Sequence, residues 1–179
     1  MPKHLFAASV AALSLLSACG AKSDAPVKRE PGSWSTKVEI LDLAGKGVKP
    51  DTRAGLQQYF ELMSMNALCL TPEAAAREDI RHDIADTSGT GKDCRFDKRN
   101  VAGENVEFSG TCSDGVKKVR TSAKGTSGAT ARDLVMTIEP LGADGKPEGI
   151  MKMRMSSHRT GACKPGDMTP PAAPSGATT

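Results

Sequence analysis

The feature that most constrains the fold is a change of hydrophobic period in the second half of the chain. From Cys94 onward, apolar and polar residues alternate over several short runs. A period of two is typical of strands with one buried face. The runs are separated by AGE, SDG, KGTSGAT and GADGKPE, whose glycines, aspartates and serines favour turns. The sequence therefore predicts a five-stranded antiparallel meander built from CRFDKRNV, NVEFSGTC, VKKVRTSA, RDLVMTIEPL and GIMKMRMSSHRT.

The region before the meander predicts one further strand and a helix. SWSTKVEILDL alternates, with Trp34, Val38 and Ile40 on one face, and ends in the loop AGKGVKPD. Apolar residues then recur at helical spacing after Asp51 or Thr52, either of which can act as the N-cap. This pattern predicts an amphipathic helix whose apolar face consists of Leu56, Tyr59, Phe60, Met63 and Ala67.

A second, more polar helix is predicted within LTPEAAAREDIRHDIAD. Thr71 is suited to the N-cap, Pro72 to the first helical position, and Ile80 and Ile84 share a face. The predicted fold is therefore α+β and mainly β. It is a single domain with an antiparallel meander of about six strands and one or two helices inserted after the first strand.

Composition fits one small soluble domain with a core poor in aromatic side chains. The chain has 179 residues, of which 3% are aromatic, so Val, Ile, Leu and Met must fill the core. The formal net charge is only +3, and no run of like charges resembles a nucleic-acid-binding arm. A nucleic-acid partner is not predicted.

The N-terminal residues have the character of an export signal. MPKH carries a lysine and is followed by twelve apolar or small residues, which as a helix would span only about 18 Å. That is short of the roughly 30 Å hydrocarbon core of a bilayer. We expect a signal peptide over 1–18, a flexible tether over 19–30, a folded domain over 31–163 and a disordered tail over 164–179.

The junction Leu16, Ser17, Ala18, Cys19 resembles the lipobox of bacterial lipoproteins. That resemblance implies a diacylglyceryl group on the Cys19 thiol, cleavage just before Cys19, and acylation of the new amino group by a fatty acid such as palmitate. The alternative is an ordinary secretory leader cut after Ala21. No acidic residue follows Cys19, a pattern that in Gram-negative sorting resembles outer-membrane cargo. We expect the lipid to be the protein's contact with the membrane.

The other four cysteines predict two disulfides. In an oxidising compartment, Cys69, Cys94, Cys112 and Cys163 would pair, and sequence alone allows three connectivities. Pairing of Cys69 with Cys94 and of Cys112 with Cys163 closes the smaller loops and is favoured. Strand parity places Cys94, Cys112 and Cys163 on inward faces. A metal site is disfavoured, because no Cys-x-x-Cys is present and no histidine adjoins these cysteines.

No catalytic motif is present, so neither an enzyme nor a cofactor is predicted. The candidate histidines, His82 and His158, lie in polar surroundings typical of solvated residues. The methionines of MKMRM, with Met136 on a preceding strand and Met63 and Met65 in the helix, could bind Cu(I) through their thioethers, although alternation favours core packing. A curved sheet lined by Met and Leu could also hold an apolar small molecule.

Several short motifs in a fixed order resemble a family of small proteobacterial envelope proteins catalogued as a domain of unknown function. They are PGSW at 31–34, CLTPEA at 69–74, the single cysteines Cys94 and Cys112, and GAC at 161–163. The resemblance implies an exported, often lipid-anchored, disulfide-stapled domain, and it supplies no activity, cofactor or catalytic residue. One departure is the amphipathic helix between PGSW and CLTPE.

Together, these patterns predict an outer-membrane lipoprotein facing the periplasm. Its domain is expected to act as a structural or interaction module, with binding of an apolar molecule or of Cu(I) as alternatives. Its protein partner or ligand is not specified by the sequence.

Overall fold

The computed structural model describes residues 25–80 and 93–169, which contain seven strands and two helices. The predicted signal peptide, Cys19, His82 and Ile84 lie outside these residues. The elements in chain order are β1 (Gly32–Gly45), α1 (Thr52–Ser64), β2 (Leu68–Leu70), α2 (Pro72–Arg77), β3 (Asp93–Ala102), β4 (Asn105–Ser113), β5 (Lys118–Ser127), β6 (Ala131–Leu141) and β7 (Gly149–Gly161).

The strands form one antiparallel sheet in the order β2-β1-β7-β6-β5-β4-β3. From β3 to β7, each strand pairs with the next in the chain, which confirms the predicted five-stranded meander. The first strand, β1, pairs with β7 along most of its length. The α+β, mainly β class is confirmed, and the three-residue β2 raises the strand count from about six to seven.

One face of the sheet carries the core, and β4 shows the alternation most clearly. Val106, Phe108, Gly110 and Cys112 are buried, and the residues between them are partly exposed. Glycine is required at position 110, where β3 pairs closely with β4, because a Cβ there would lie 2.9 Å from the Phe96 Cα. The buried residues of this core are Ile80, Val106, Phe108, Ala123, Leu134, Met136 and Met153.

The methionines of β6 and β7 pack in this core. Met136 and Met153 face each other across the two strands and are both buried. Met151 and Met155, two residues to either side, pack partly buried against the same cluster. The interpretation of MKMRM as a core-facing strand is therefore confirmed.

The opposite face of the sheet is charged. Lys98 lies 2.8 Å from Glu107 across β3 and β4, and Arg154 on β7 donates to Asp133 on β6 at 2.9 Å. The hydrogen bonds from the Arg154 guanidinium hold the pKa of Asp133 below its usual value. Such exposed pairs orient side chains across strands but contribute little to stability.

Asp114 organises the turn between β4 and β5. Its Oδ1 accepts from the backbone N–H of Lys117 at 2.6 Å and of Val116 at 2.9 Å. These two hydrogen bonds lower the pKa of the Asp114 carboxyl, in that order of importance. Gly115 has φ +89°, a left-handed conformation that favours glycine, so the SDG sequence specifies this turn.

Helix α2 begins as predicted and ends earlier. Thr71 is its N-cap, accepting from the Ala74 N–H at 3.2 Å, and Pro72 occupies its first turn. The helix stops at Arg77, because Glu78 adopts an extended ψ of 127°. The predicted continuous helix is therefore interrupted at Glu78 and Asp79, whereas Ile80 is helical again and buried in the core. Residues 81–86 of the predicted helix lie outside the described residues.

Both ends of the described chain pack on the domain. Val27 donates its N–H to Gly103 at 3.1 Å and Glu30 to Ala129 at 2.8 Å, so residues 25–30 cross the ends of two hairpins. At the other end, the Cys69 N–H donates to the Met168 carbonyl at 2.7 Å. Residues 25–30 are thus not free tether and residues 164–169 are not free tail, because the backbone of each finds partners distant in sequence.

Candidate functional site

Two disulfides join the four cysteines of the described domain. Cys69 and Cys163 are bonded with an S–S distance of 1.99 Å, and Cys94 and Cys112 with one of 2.08 Å. The favoured pairing of Cys69 with Cys94 and of Cys112 with Cys163 is therefore wrong. The prediction that these four cysteines form two disulfides agrees with this geometry.

Strand order explains the pairing. The β3–β4 hairpin places one cysteine pair directly opposite in register. Ser33 of β1 pairs with Cys69 on one side and Gly161 of β7 on the other, so Cys163, two residues farther on, reaches Cys69. Cys112 is buried, as strand parity predicts. Cys163 lies beyond the end of β7 and is exposed, so the prediction that it faces inward is wrong.

A buried ionic cluster joins three distant segments. Arg29 Nε and Arg132 Nη2 both donate to Glu78 Oε1, at 2.6 Å and 2.7 Å. The three side chains are at most 11% exposed. Arg132 Nε also donates to Ser127 Oγ at 3.1 Å. A carboxylate shared by two guanidinium groups is thus held between the segment before β1, the end of α2, and β6.

The cluster also fixes the first residues of β1. The Arg29 guanidinium lies 4.9 Å from the centre of the Trp34 ring, and the Trp34 indole N–H donates to the Glu30 carbonyl at 3.0 Å. Trp34 is fully buried with Leu70 and Ala75 in a second small core. No local sequence signal marks Glu78 as a buried partner, because its arginines are 49 and 54 residues away.

Helix α1 is held against the edge of β1 by polar side chains. The Gln57 amide bonds the β1 backbone twice: Oε1 accepts from the Ile40 N–H at 3.0 Å, and Nε2 donates to the Val38 carbonyl at 3.2 Å. Arg53 Nη2 donates to the Ile40 carbonyl at 2.8 Å. Gln57 therefore takes the place of a neighbouring strand where β2 has ended, and it covers an edge that would otherwise be open.

This attachment leaves large apolar side chains of α1 in solvent. None of the helix residues is buried. Tyr59 is 54%, Leu62 63%, Met63 49% and Met65 79% exposed. These four residues are called the α1 apolar face below. The sequence correctly predicted an amphipathic helix, and two residues of its predicted apolar face, Tyr59 and Met63, are exposed to solvent.

We expect Gln57→Ala to lower the free energy of unfolding by about 1–2 kcal/mol, because two hydrogen bonds to β1 are lost. Amide exchange at Ile40 should accelerate in the same variant. Urea unfolding and hydrogen exchange measure the two effects. Gln58→Ala, at an exposed neighbouring position, is the matched control and should change neither quantity. Equal effects of the two substitutions would contradict the edge-capping role of Gln57.

The remaining sequence candidates do not converge on one site. His158 is exposed on β7, and His82 lies outside the described residues. Within residues 25–80 and 93–169, no three or more His, Cys, Asp or Glu side chains lie close enough to hold a metal ion. In the same ranges, no helix has both the length and the apolar character needed to cross a membrane.

These features define a single-sheet domain stapled by two disulfides and one buried ionic cluster. The sequence model of the family described as "Protein of unknown function (DUF3617)" matches residues 29–163. The chain belongs to this family, as its motifs suggested. The matched range begins at Arg29 of the ionic cluster and ends at Cys163, so it contains both disulfides. No curated protein and no solved structure matches the chain.

Proposed function

We propose that the protein is a lipoprotein anchored through Cys19 to the outer membrane and facing the periplasm, where its domain acts as an interaction module without catalytic activity. The observation that carries the proposal is the pairing of the other four cysteines. Because Cys69 bonds Cys163 and Cys94 bonds Cys112, Cys19 has no cysteine of the chain left with which to pair. A separate chemistry for Cys19 accounts for the odd number.

The residues before Cys19 support acylation as that chemistry. Ser17 and Ala18 are small, which gives a peptidase access to an extended backbone, and Leu16 completes the lipobox pattern. One acyl chain anchors a protein only marginally, whereas two or more hold it firmly. Gly20 and Ala21 follow without an acidic residue, which supports the outer membrane as the destination.

The two disulfides support an oxidising compartment. Disulfides persist in the periplasm and are rare in the cytosol. The core of this domain contains few aromatic side chains, so covalent cross-links supply a large share of its stability. An exposed apolar helix face on a domain cross-linked in this way supports a role in binding another surface.

Cys19→Ser tests the anchor. Cells producing the full chain are fed an alkyne analogue of palmitate, and the purified protein is examined for label. The native chain should be labelled and Cys19→Ser should not, since the serine hydroxyl is not the thiol that acylation requires. The double variant Cys69→Ser/Cys163→Ser is the matched cysteine control and should keep the label. An unlabelled native chain, or equal labelling of Cys19→Ser, would refute the proposal.

Binding of a small apolar molecule is a second candidate, favoured by one cleft. A cavity of about 290 Å³ lies where β1 and β6 end and β7 begins. Leu43, Val48, Ile138 and Met151 are among the residues that line it. That volume is at the lower end of the range for ligand sites. Native mass spectrometry of gently purified protein tests the candidate. Protein with no co-purifying lipid or metabolite would count against it.

Cu(I) binding through methionine has less support. Met136 and Met153 are buried in the core, so copper could reach their sulfur atoms only if the sheet opened. Titration of Cu(I) into the protein, in competition with a weak chelator, tests this alternative. Absence of competition would end it.

A further inference from the structure

We propose that the α1 apolar face rests in the headgroup layer of the same bilayer that holds the lipid on Cys19. This inference builds on the proposed function and adds a second membrane contact, made by the folded domain itself. It starts from the exposure of Tyr59, Leu62, Met63 and Met65 on a helix whose contacts with the sheet are polar.

The face is continuous along the helix. Tyr59, Leu62 and Met65 follow at intervals of three residues, so they lie along one side of α1. With Gly55 and the polar residues Gln58 and Glu61 they line a shallow groove of about 530 Å³. Tyrosine is enriched at membrane interfaces, where its ring lies among lipid and its hydroxyl among water. Leucine and methionine side chains are suited to the boundary between the headgroups and the acyl chains.

The helix is held in position before it meets a membrane. Gln57 and Arg53 bond it to the backbone of β1, so its apolar face points away from the sheet. A face oriented in this way loses little conformational freedom when it docks. In this respect α1 differs from a helix that must first fold on the bilayer.

The size of the face argues against a second copy of this chain as the occupant. A helix of 13 residues is about 20 Å long and presents about 200 Å² on one side. Stable protein interfaces bury about 800 Å² on each partner. A membrane requires no such complementary area, because fluid lipid adapts to the shape of a small surface.

The short length of chain before the domain keeps the domain close to the bilayer. Only six peptide units separate Cys19 from Ala25, which limits that distance to about 20 Å. The described chain then packs at once, with Val27 bonded to Gly103. A short linker gives an effective concentration of about millimolar, so a face too weak to bind vesicles alone docks once the lipid is inserted.

Brominated-lipid quenching of a tryptophan placed on the face tests the proposal. Full-length Leu62→Trp is extracted from membranes with its native N-terminus and reconstituted into phosphatidylethanolamine–phosphatidylglycerol vesicles with brominated acyl chains. Its added fluorescence should fall by about half, since an interfacial helix face is buried about 5–10 Å into the lipid. Trp34 is fully buried and provides an unquenched background.

Val116→Trp is the matched control. Val116 is an apolar residue 90% exposed in the turn after β4, so a tryptophan there has the same freedom to meet lipid by chance. Its fluorescence should be nearly unchanged. Equal quenching at both positions, or none at position 62, would overturn the proposal. Cross-linking of α1 to a protein, without quenching, would replace the membrane by that partner.

The intact mass of the same sample distinguishes failure of the α1 membrane contact from failure of the lipid anchor. If the extracted chain carries acyl groups and position 62 is not quenched, the anchor stands and the membrane contact of α1 fails. If the chain carries no acyl groups, the proposed function fails and this inference fails with it.

Discussion

The double variant Cys69→Ser/Cys163→Ser is expected to lose about 4.7 kcal/mol of unfolding free energy, the larger of the two disulfide effects. This bond joins residues 94 positions apart, and in the chain-entropy account the stabilisation grows with the length of the closed loop. The Cys94–Cys112 bond closes a separation of only 18, for which the same account gives about 3.2 kcal/mol. These values are upper figures, but their order follows from topology.

Urea unfolding of the two double variants under oxidising conditions tests that order. Each retains one disulfide, so the two serve as matched controls for each other. Digestion of the unreduced native protein should release a peptide containing Cys69 linked to one containing Cys163. Recovery of Cys69 linked to Cys94, or a greater loss from removal of the hairpin disulfide, would contradict the strand order described above.

Glu78→Ala is expected to destabilise the domain by about 3–5 kcal/mol, because it leaves the guanidinium groups of Arg29 and Arg132 buried without their shared carboxylate. The segment before β1 should lose amide protection first, since both the backbone N–H and the guanidinium of Arg29 donate to Glu78. Thermal or urea unfolding gives the energy, and hydrogen exchange identifies the segment.

Two further variants separate charge from shape at this cluster. Glu78→Gln keeps an oxygen acceptor of the same size and should cost less than Glu78→Ala. Glu139→Ala breaks an ion pair with Arg120 on the exposed face and should cost less than about 1 kcal/mol. If Glu78→Ala were as mild as Glu139→Ala, the cluster would not join the three segments.

Much of the sheet could be predicted, because its information is local. Alternation in β4 places Val106 and Phe108 inward, and the SDG turn after it supplies both the aspartate acceptor and the left-handed glycine. Each hairpin is specified by residues that are neighbours in the chain. The meander therefore follows from sequence without knowledge of distant contacts.

Only one of the two disulfides depends on strands distant in sequence. Cys94 and Cys112 stand opposite each other in the β3–β4 hairpin that local alternation predicts, so this bond could have been assigned from the sequence. The Cys69–Cys163 bond forms because β7 returns beside β1, and no local pattern encodes that contact. The same kind of long-range contact holds Arg29, which sequence placed in a flexible tether.

The orientation of α1 was hidden for a different reason. Helical spacing identifies which side of a helix is apolar, but it does not say whether that side meets the core or another surface. Gln57 and Arg53 fix the orientation of α1 by hydrogen bonds to the open edge of β1. That edge is open because β2 is only three residues long, and the sequence does not reveal this. The candidate membrane-facing surface is therefore a product of the tertiary structure.

Intact-mass analysis of the full-length protein extracted from membranes in detergent reports the anchor and the disulfides together. The chain should begin at Cys19, carry a diacylglyceryl group and an amide-linked acyl group, and be four hydrogens lighter than its reduced form because of two disulfides. A water-soluble chain without fatty acid, whose remaining thiols react freely with an alkylating reagent, would contradict both the anchor and the cross-linked domain.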